Sequence, residues 1–102
     1  MVVYNKLVRD RIPEIIEAQG ERPNVRILGQ EEYLNHLEAK LDEEVVEYHR
    51  DKNAEELADI LEVVFALAEA DGVTRQELMD VYQKKHDARG GFGKRIFLIS
   101  ED

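Results

Sequence analysis

Two pairs of carboxylates stand out by type and spacing. Glu44 and Glu47 lie three residues apart, Glu56 and Asp59 also lie three apart, and eight residues separate the pairs. On a helix, a step of three keeps both members of a pair on one flank. If the two flanks face each other, four carboxylates converge, and they repel unless protonated or neutralised by cations. Carboxylate oxygens are hard ligands that suit Mg²⁺ or Mn²⁺, and a Mg²⁺ site keeps positions open for water and phosphate oxygens. The chemistry expected here is divalent-cation binding, with Glu44, Glu47, Glu56 and Asp59 as ligands.

Each residue also has an ordinary explanation. Glu44 could pair with Lys40 one turn earlier, and Glu47 with Arg50. Glu56 stands three residues after Asn53 and could be the far half of a helix cap. Asp59 has no cation three or four residues away, and aspartate is a poor helix former, so a local structural role explains it less well. Spacing alone leaves both readings open.

The elements that must position these residues are helices. Residues 31–50 carry apolar side chains at Leu34, Leu37, Leu41, Val45 and Tyr48, one stripe at helical periodicity. At about 100° per residue, Glu44 projects roughly 60° from the centre of that stripe and Glu47 roughly 120°, on the same flank as Lys40. Asp51-Lys52-Asn53 reads as a tight polar turn, and Asn53 as the N-cap of a second helix over 54–70, closed by Gly72. So short a turn makes the two helices antiparallel and sets Glu44 and Glu47 opposite Glu56 and Asp59.

Around this hairpin the pattern predicts a short first helix over 12–18. Pro13 stands in its first turn, Gly20 at its stop and Asp10 as its cap. A further helix should open at Thr74 with a Thr74–Glu77 capping box and run to about residue 87. The run Ile96-Phe97-Leu98-Ile99 is β-prone and would pair with Val25, Ile27 and Leu28 in a small two-stranded patch. The fold class expected is all-α with that patch, in a single domain. The second long helix is apolar nearly all round, with only Glu62 and Glu69 polar between Ile60 and Ala70. A domain of three or four helices cannot easily surround it, so a second subunit is expected to cover it.

Composition narrows the class. A net charge of −9 argues against general affinity for nucleic acid, which needs a basic footprint. No apolar run approaches the roughly 20 residues that cross a membrane, and no secretory signal opens the sequence. With no cysteine, disulfides and thiolate zinc sites are excluded, which fits a cytoplasmic protein. Acids concentrate between Glu31 and Asp80. Lys6, Arg9, Arg11, Arg22 and Arg26 lie before them, and Lys84, Lys85, Arg89, Lys94 and Arg95 after. An acidic middle with basic ends suits a cation with phosphates beside it, although solvated helix faces would give the same scatter.

The motif Glu43-Glu44-Val45-Val46-Glu47 followed by Glu56-Leu57-Ala58-Asp59 resembles the MazG-like nucleoside triphosphate pyrophosphohydrolase superfamily, in which Glu-Glu-x-x-Glu on one helix precedes Glu-x-x-Asp on the next. The stretch Tyr4-Asn5-Lys6-Leu7-Val8-Arg9-Asp10-Arg11-Ile12-Pro13-Glu14-Ile15-Ile16 resembles the opening of a subgroup labelled phosphoribosyl-ATP pyrophosphohydrolase-like. Arg89-Gly90-Gly91-Phe92-Gly93-Lys94-Arg95-Ile96-Phe97 resembles that subgroup's ending. The resemblance runs in register over nearly the whole chain. One departure is the eight-residue separation of Glu47 and Glu56, shorter than in many members, which trims the wall around a base and leaves substrate size open.

The resemblance implies an all-α antiparallel helical bundle completed as a homodimer or homotetramer. It further implies Mg²⁺-dependent hydrolysis of a nucleoside triphosphate to the monophosphate and pyrophosphate. Carried over residue by residue, Glu44, Glu47, Glu56 and Asp59 would be the metal ligands, Glu43 would stand back from the metal, and Glu47 would orient the attacking water. Lys6, Arg9, Lys85, Arg89 and Lys94 would clamp phosphates, with Arg9 and Arg89 favoured because arginine grips phosphate bidentately. Two alternatives remain at this level: hydrolysis of phosphoribosyl-ATP, and a non-catalytic acidic helical assembly module.

Overall fold

The computed structural model describes all 102 residues and contains four helices. These are α1 (Ile12–Ala18), α2 (Gln30–Asp51), α3 (Ala54–Ala70) and α4 (Arg75–Arg89). The protein is all-α. The expected β patch is absent: residues 25–28 and 96–99 form no strand, and Ile27 and Ile96 to Ile99 stand in solvent. The physical reason is that β-propensity expresses packing on a half-buried pleated surface. A lone two-stranded ribbon with nothing to pack against is marginal in water.

Helix α1 starts one residue later than an Asp10 cap requires. Arg11 occupies the N-cap position in a helical conformation (φ −91°, ψ −2°) and makes no side-chain cap bond. The Ile12 N–H already reaches the Arg9 carbonyl at 3.1 Å, so Asp10 lies outside the helix end and does not cap it. At the other end Gly20, at φ +85°, closes a Schellman motif. Its N–H donates to the Glu17 carbonyl at 2.9 Å, and the Glu21 N–H to that of Ile16 at 3.2 Å.

The α2–α3 hairpin is the centre of the molecule. Lys52 takes the left-handed conformation (φ 49°, ψ 50°), with its N–H on the Tyr48 carbonyl. Asn53 then caps α3, its side chain accepting the Glu56 N–H at 3.0 Å. Two residues thus reverse the chain. Along α2, Leu37 is buried, and Leu34, Leu41, Val45 and Tyr48 are half-buried. With Val63 and Phe65 of α3, Leu37 forms the core of the single chain.

Gly72 (φ +81°) closes α3 in a second Schellman motif, through Val73 N–H to the Ala68 carbonyl and Gly72 N–H to that of Glu69. Thr74 and Glu77 then form the expected capping box. The Arg75 guanidinium sits 4.0 Å from the centre of the Phe65 ring and pins this corner. Helix α4 carries no buried residue, and α1 approaches no other helix.

The chain is therefore drawn out, measuring 62 × 32 × 23 Å. Its radius of gyration is 18.0 Å, against about 13 Å for a compact domain of this length. Its surface is 9362 Å², where about 5,900 Å² would be usual for a folded monomer of this mass. The extended terminal segments contribute to the excess, and so does α3. Leu57 and Leu61 are each about half exposed (51% and 48%) on a helix whose composition asks for cover on all sides. No helix is long and apolar enough to cross a membrane.

Candidate metal centre

The hairpin brings Glu44, Glu56 and Asp59 together, with one carboxylate oxygen from each within 4.8 Å of the others. Helix α2 delivers Glu44 beside its apolar stripe, and the first turns of α3 deliver the other two. Glu44 is only 6% exposed, a rare degree of burial for a glutamate. Its Oε1 lies 3.4 Å from Lys40 Nζ, so the local pairing is made. Its Oε2 nevertheless remains buried without a hydrogen-bond partner, and Glu56 Oε2 shares that condition. Buried carboxylate oxygens without partners are costly and call for a donor or a cation.

The pKa directions agree with this geometry. Glu44 is raised above its ordinary value of 4.5, chiefly by burial and then by the neighbouring Glu47 carboxylate, with Lys40 opposing. Glu56 is raised as well, by loss of water and by the charges of Glu47, Asp51, Asp59 and Glu44. Neither shift would serve a solvated helix face. The capping explanation of Glu56 is satisfied by its backbone N–H on Asn53, which leaves its carboxylate free for another role.

Glu47 is half-buried at the edge of the group. Its charge helps to raise the Glu44 pKa, but it lies outside the set whose oxygens converge within 4.8 Å. It makes no ion pair with Arg50, whose guanidinium instead holds Asp51 at 3.1 Å. Asp51, at the end of α2 and held by Arg50, is outside the converging set but adds its charge to those that raise Glu56. Glu43 takes Lys6 at 3.9 Å and Lys40 at 3.7 Å and does not join the converging oxygens.

The basic residues divide by location. Arg9 crosses fifty positions of sequence to donate from Nη2 to Asp59 Oδ1, and Lys6 lies beside Glu43. The N-terminal segment is thus laid against the acidic site. Lys85 and Arg89 ride the exposed end of α4, and Lys94 follows it in exposed chain. None of these three is ion-paired with the carboxylates of its own chain. Pairing of Arg9 with Asp59 was the contact that local spacing missed, although an acid without a cation on its own helix signals one supplied from elsewhere.

The donor set fits a hard divalent cation: carboxylate oxygens only, two of them without partners, and a deficit of positive charge around them. An open groove at the start of α2 is lined by Gly29, Gln30, Glu31, Glu32 and Asn35, without an apolar side chain.

An uncharacterised protein of Mycolicibacterium smegmatis is 60% identical to this chain over 42 residues, which is 41% of the chain and 43% of that protein's own length. The match thus spans less than half of its relative. No family model and no solved structure matches the chain.

Proposed function

We propose that the protein is a cytoplasmic, Mg²⁺-dependent nucleotide pyrophosphohydrolase that cleaves a nucleoside triphosphate to the monophosphate and pyrophosphate. The observation that carries this reading is the convergence of Glu44, Glu56 and Asp59 across the hairpin, with Glu44 Oε2 and Glu56 Oε2 buried and unpartnered. The resemblance of both acidic motifs and both chain ends to the MazG-like superfamily supports it. Glu44, Glu56 and Asp59 would hold Mg²⁺, or Mn²⁺ in its place, with Glu47 at the margin. A bound cation would neutralise phosphate oxygens and lower the pKa of a water. Glu47, half-exposed beside Glu44, would orient that water and accept its proton. The water oxygen would bond to the α-phosphorus while the bridging P–O bond breaks in line, its electron pair leaving with pyrophosphate. Lys6, Arg9, Lys85, Arg89 and Lys94 would grip the phosphate chain.

The site would be finished by a second copy of the chain, in a homodimer or homotetramer. The chain carries about 3,400 Å² more surface than a compact monomer, which exceeds the roughly 1,000 to 2,500 Å² that each protomer of an obligate homodimer buries. The open face of α3 at Leu57 and Leu61 is the natural contact, and a partner there would also supply a wall for the base.

The test is incubation with a panel of nucleotides, including phosphoribosyl-ATP, in the presence of Mg²⁺, measuring pyrophosphate and orthophosphate separately. Pyrophosphate release is expected. Orthophosphate alone would mean attack at another phosphorus, and neither product would leave the non-catalytic module standing. Glu56→Gln should abolish turnover with the helical circular-dichroism signal intact.

A further inference from the structure

Three carboxylates converge at the hairpin, and two side-chain cations attend them. Lys40 is fixed on α2 and contacts Glu44 from its own helix. Arg9 is different, because it belongs to the irregular segment that precedes α1. Its side chain is 55% exposed, and of its guanidinium donors only Nη2 is engaged, on Asp59 Oδ1. The remaining N–H groups are free. A divalent cation held by Glu44, Glu56 and Asp59 needs an oxygen of Asp59 and repels a guanidinium beside it. Arg9 and the cation therefore compete for the same carboxylate.

We propose that Arg9 is the counter-ion of Asp59 in the metal-free protein, and that a divalent cation displaces it to become a phosphate clamp. The proposal rests on the metal-site reading above and adds a coupling to it: one side chain weakens metal binding in the absence of phosphate and strengthens phosphate binding once the metal is present. Nothing else in the acidic site can play both parts. Lys40 offers a single ammonium committed to Glu43 and Glu44, and Lys6 lies on Glu43, outside the converging set. Arginine suits the exchange, because its planar fork matches a carboxylate in one state and phosphate oxygens in the other. The pair is exposed enough to break at small cost.

The coupling has opposite signs for two ligands, which a merely structural ion pair would not produce. Mn²⁺ serves as the metal probe, followed by electron paramagnetic resonance and calorimetry on the full chain, and inorganic pyrophosphate serves as the phosphate probe. Arg9→Gln should tighten Mn²⁺ binding about three- to tenfold, the size expected for removing an exposed pair and a nearby like charge. The same variant should weaken pyrophosphate binding to the Mn²⁺-loaded protein by about tenfold, as for loss of a charge-assisted hydrogen bond. Arg9→Lys keeps the charge but not the fork. It should leave Mn²⁺ affinity near that of the unaltered protein while still weakening pyrophosphate, and it decides the matter if Arg9→Gln disturbs the helical signal. Unchanged or weaker Mn²⁺ binding in Arg9→Gln would overturn the exchange while leaving the metal site in place. Equal Mn²⁺ binding by the unaltered protein and Glu44→Gln would remove the metal site itself, and the exchange with it.

Discussion

Replacing Glu44 with glutamine keeps the side chain's shape and removes its charge, and the geometry fixes the sign of the effect. Oxygens of Glu56 and Asp59 lie within 4.8 Å of its carboxylate, and Lys40 is the cation upon it, at 3.4 Å. With an effective dielectric constant between about 20 and 80, each repulsion costs about 1 to 3.5 kcal/mol and the attraction contributes about 1 to 5 kcal/mol. Arg9 on Asp59 offsets part of that repulsion and the Glu47 carboxylate adds to it; with burial, the largest cause of the raised pKa, the charge on Glu44 is left about 0.5 to 2 kcal/mol unfavourable. For a domain of about 100 residues, 1 kcal/mol moves Tm by roughly 4–8 °C. Glu44→Gln should therefore raise the Tm of the metal-free protein by about 5 °C. Magnesium reverses the order, because a ligand at about 100 times its Kd adds about 2.7 kcal/mol to the state that binds it. The unaltered protein should gain that increment and the variant should lose most of it. Thermal melts at equal protomer concentration, in chelator and in Mg²⁺, read both effects. A variant less stable than the unaltered protein in chelator would mean that the Lys40 pair dominates and that Glu44 is structural. An equal gain from Mg²⁺ in both proteins would remove Glu44 from the metal site.

The raised pKa values of Glu44 and Glu56 give the metal-free protein an unusual pH dependence. An acid raised on folding binds its proton more tightly in the folded state, so stability should increase as pH falls from neutral towards the ordinary value of 4.5. It should then decline at lower pH, where Asp51 and Glu32, both lowered in the folded state, take up protons; a series of melts from pH 8 to pH 3 would expose a monotonic fall instead. Leu61→Glu places a charge on the open face of α3 and should reduce the assembled species to monomer in light-scattering gel filtration, whereas an unchanged mass would clear that face of a role. A glycine inserted between Lys52 and Asn53 should preserve the helical signal but lose the Mg²⁺-induced rise in Tm, and retention of the rise would dissociate the site from hairpin register.

Where the sequence was legible, local chemistry decided the outcome. Pro13 and Gly20 bound α1, while Asn53 and Gly72 bound α3, because caps and left-handed stops act within a few residues of themselves. The angular projection also ranked the acids correctly: Glu44, nearest the apolar stripe, is the buried one, and Glu47, further round, sits at the edge. The failures have the opposite character. Residues 25–28 and 96–99 carry β-prone side chains, but a strand needs a surface to lie on, and local sequence does not report whether one exists. Asp10 looked like a cap because its type is right, yet Arg11 had already turned helical. The Arg9–Asp59 contact spans fifty residues, and no periodicity reaches that far. Lys52 in a left-handed conformation is likewise a product of closing the hairpin, since lysine has no preference for it.

The site is more sensitive to this hairpin than the fold is, and the reason lies in the composition of α3. That helix is apolar nearly all round, so rotating it exchanges one apolar face for another and the packing against α2 tolerates the change. Its acids have no such freedom. A residue added to the turn moves and reorients the start of α3 relative to α2, which carries Glu56 and Asp59 off the flank that faces Glu44. The acidic cluster is consequently defined by Lys52 and Asn53 as much as by the carboxylates: the left-handed residue reverses the chain, and the cap fixes where α3 begins its first turn. The same two residues set the Glu47 to Glu56 separation of eight and leave no length of loop to wall in a base. A short turn holds the three converging carboxylates in register at the expense of a closed pocket.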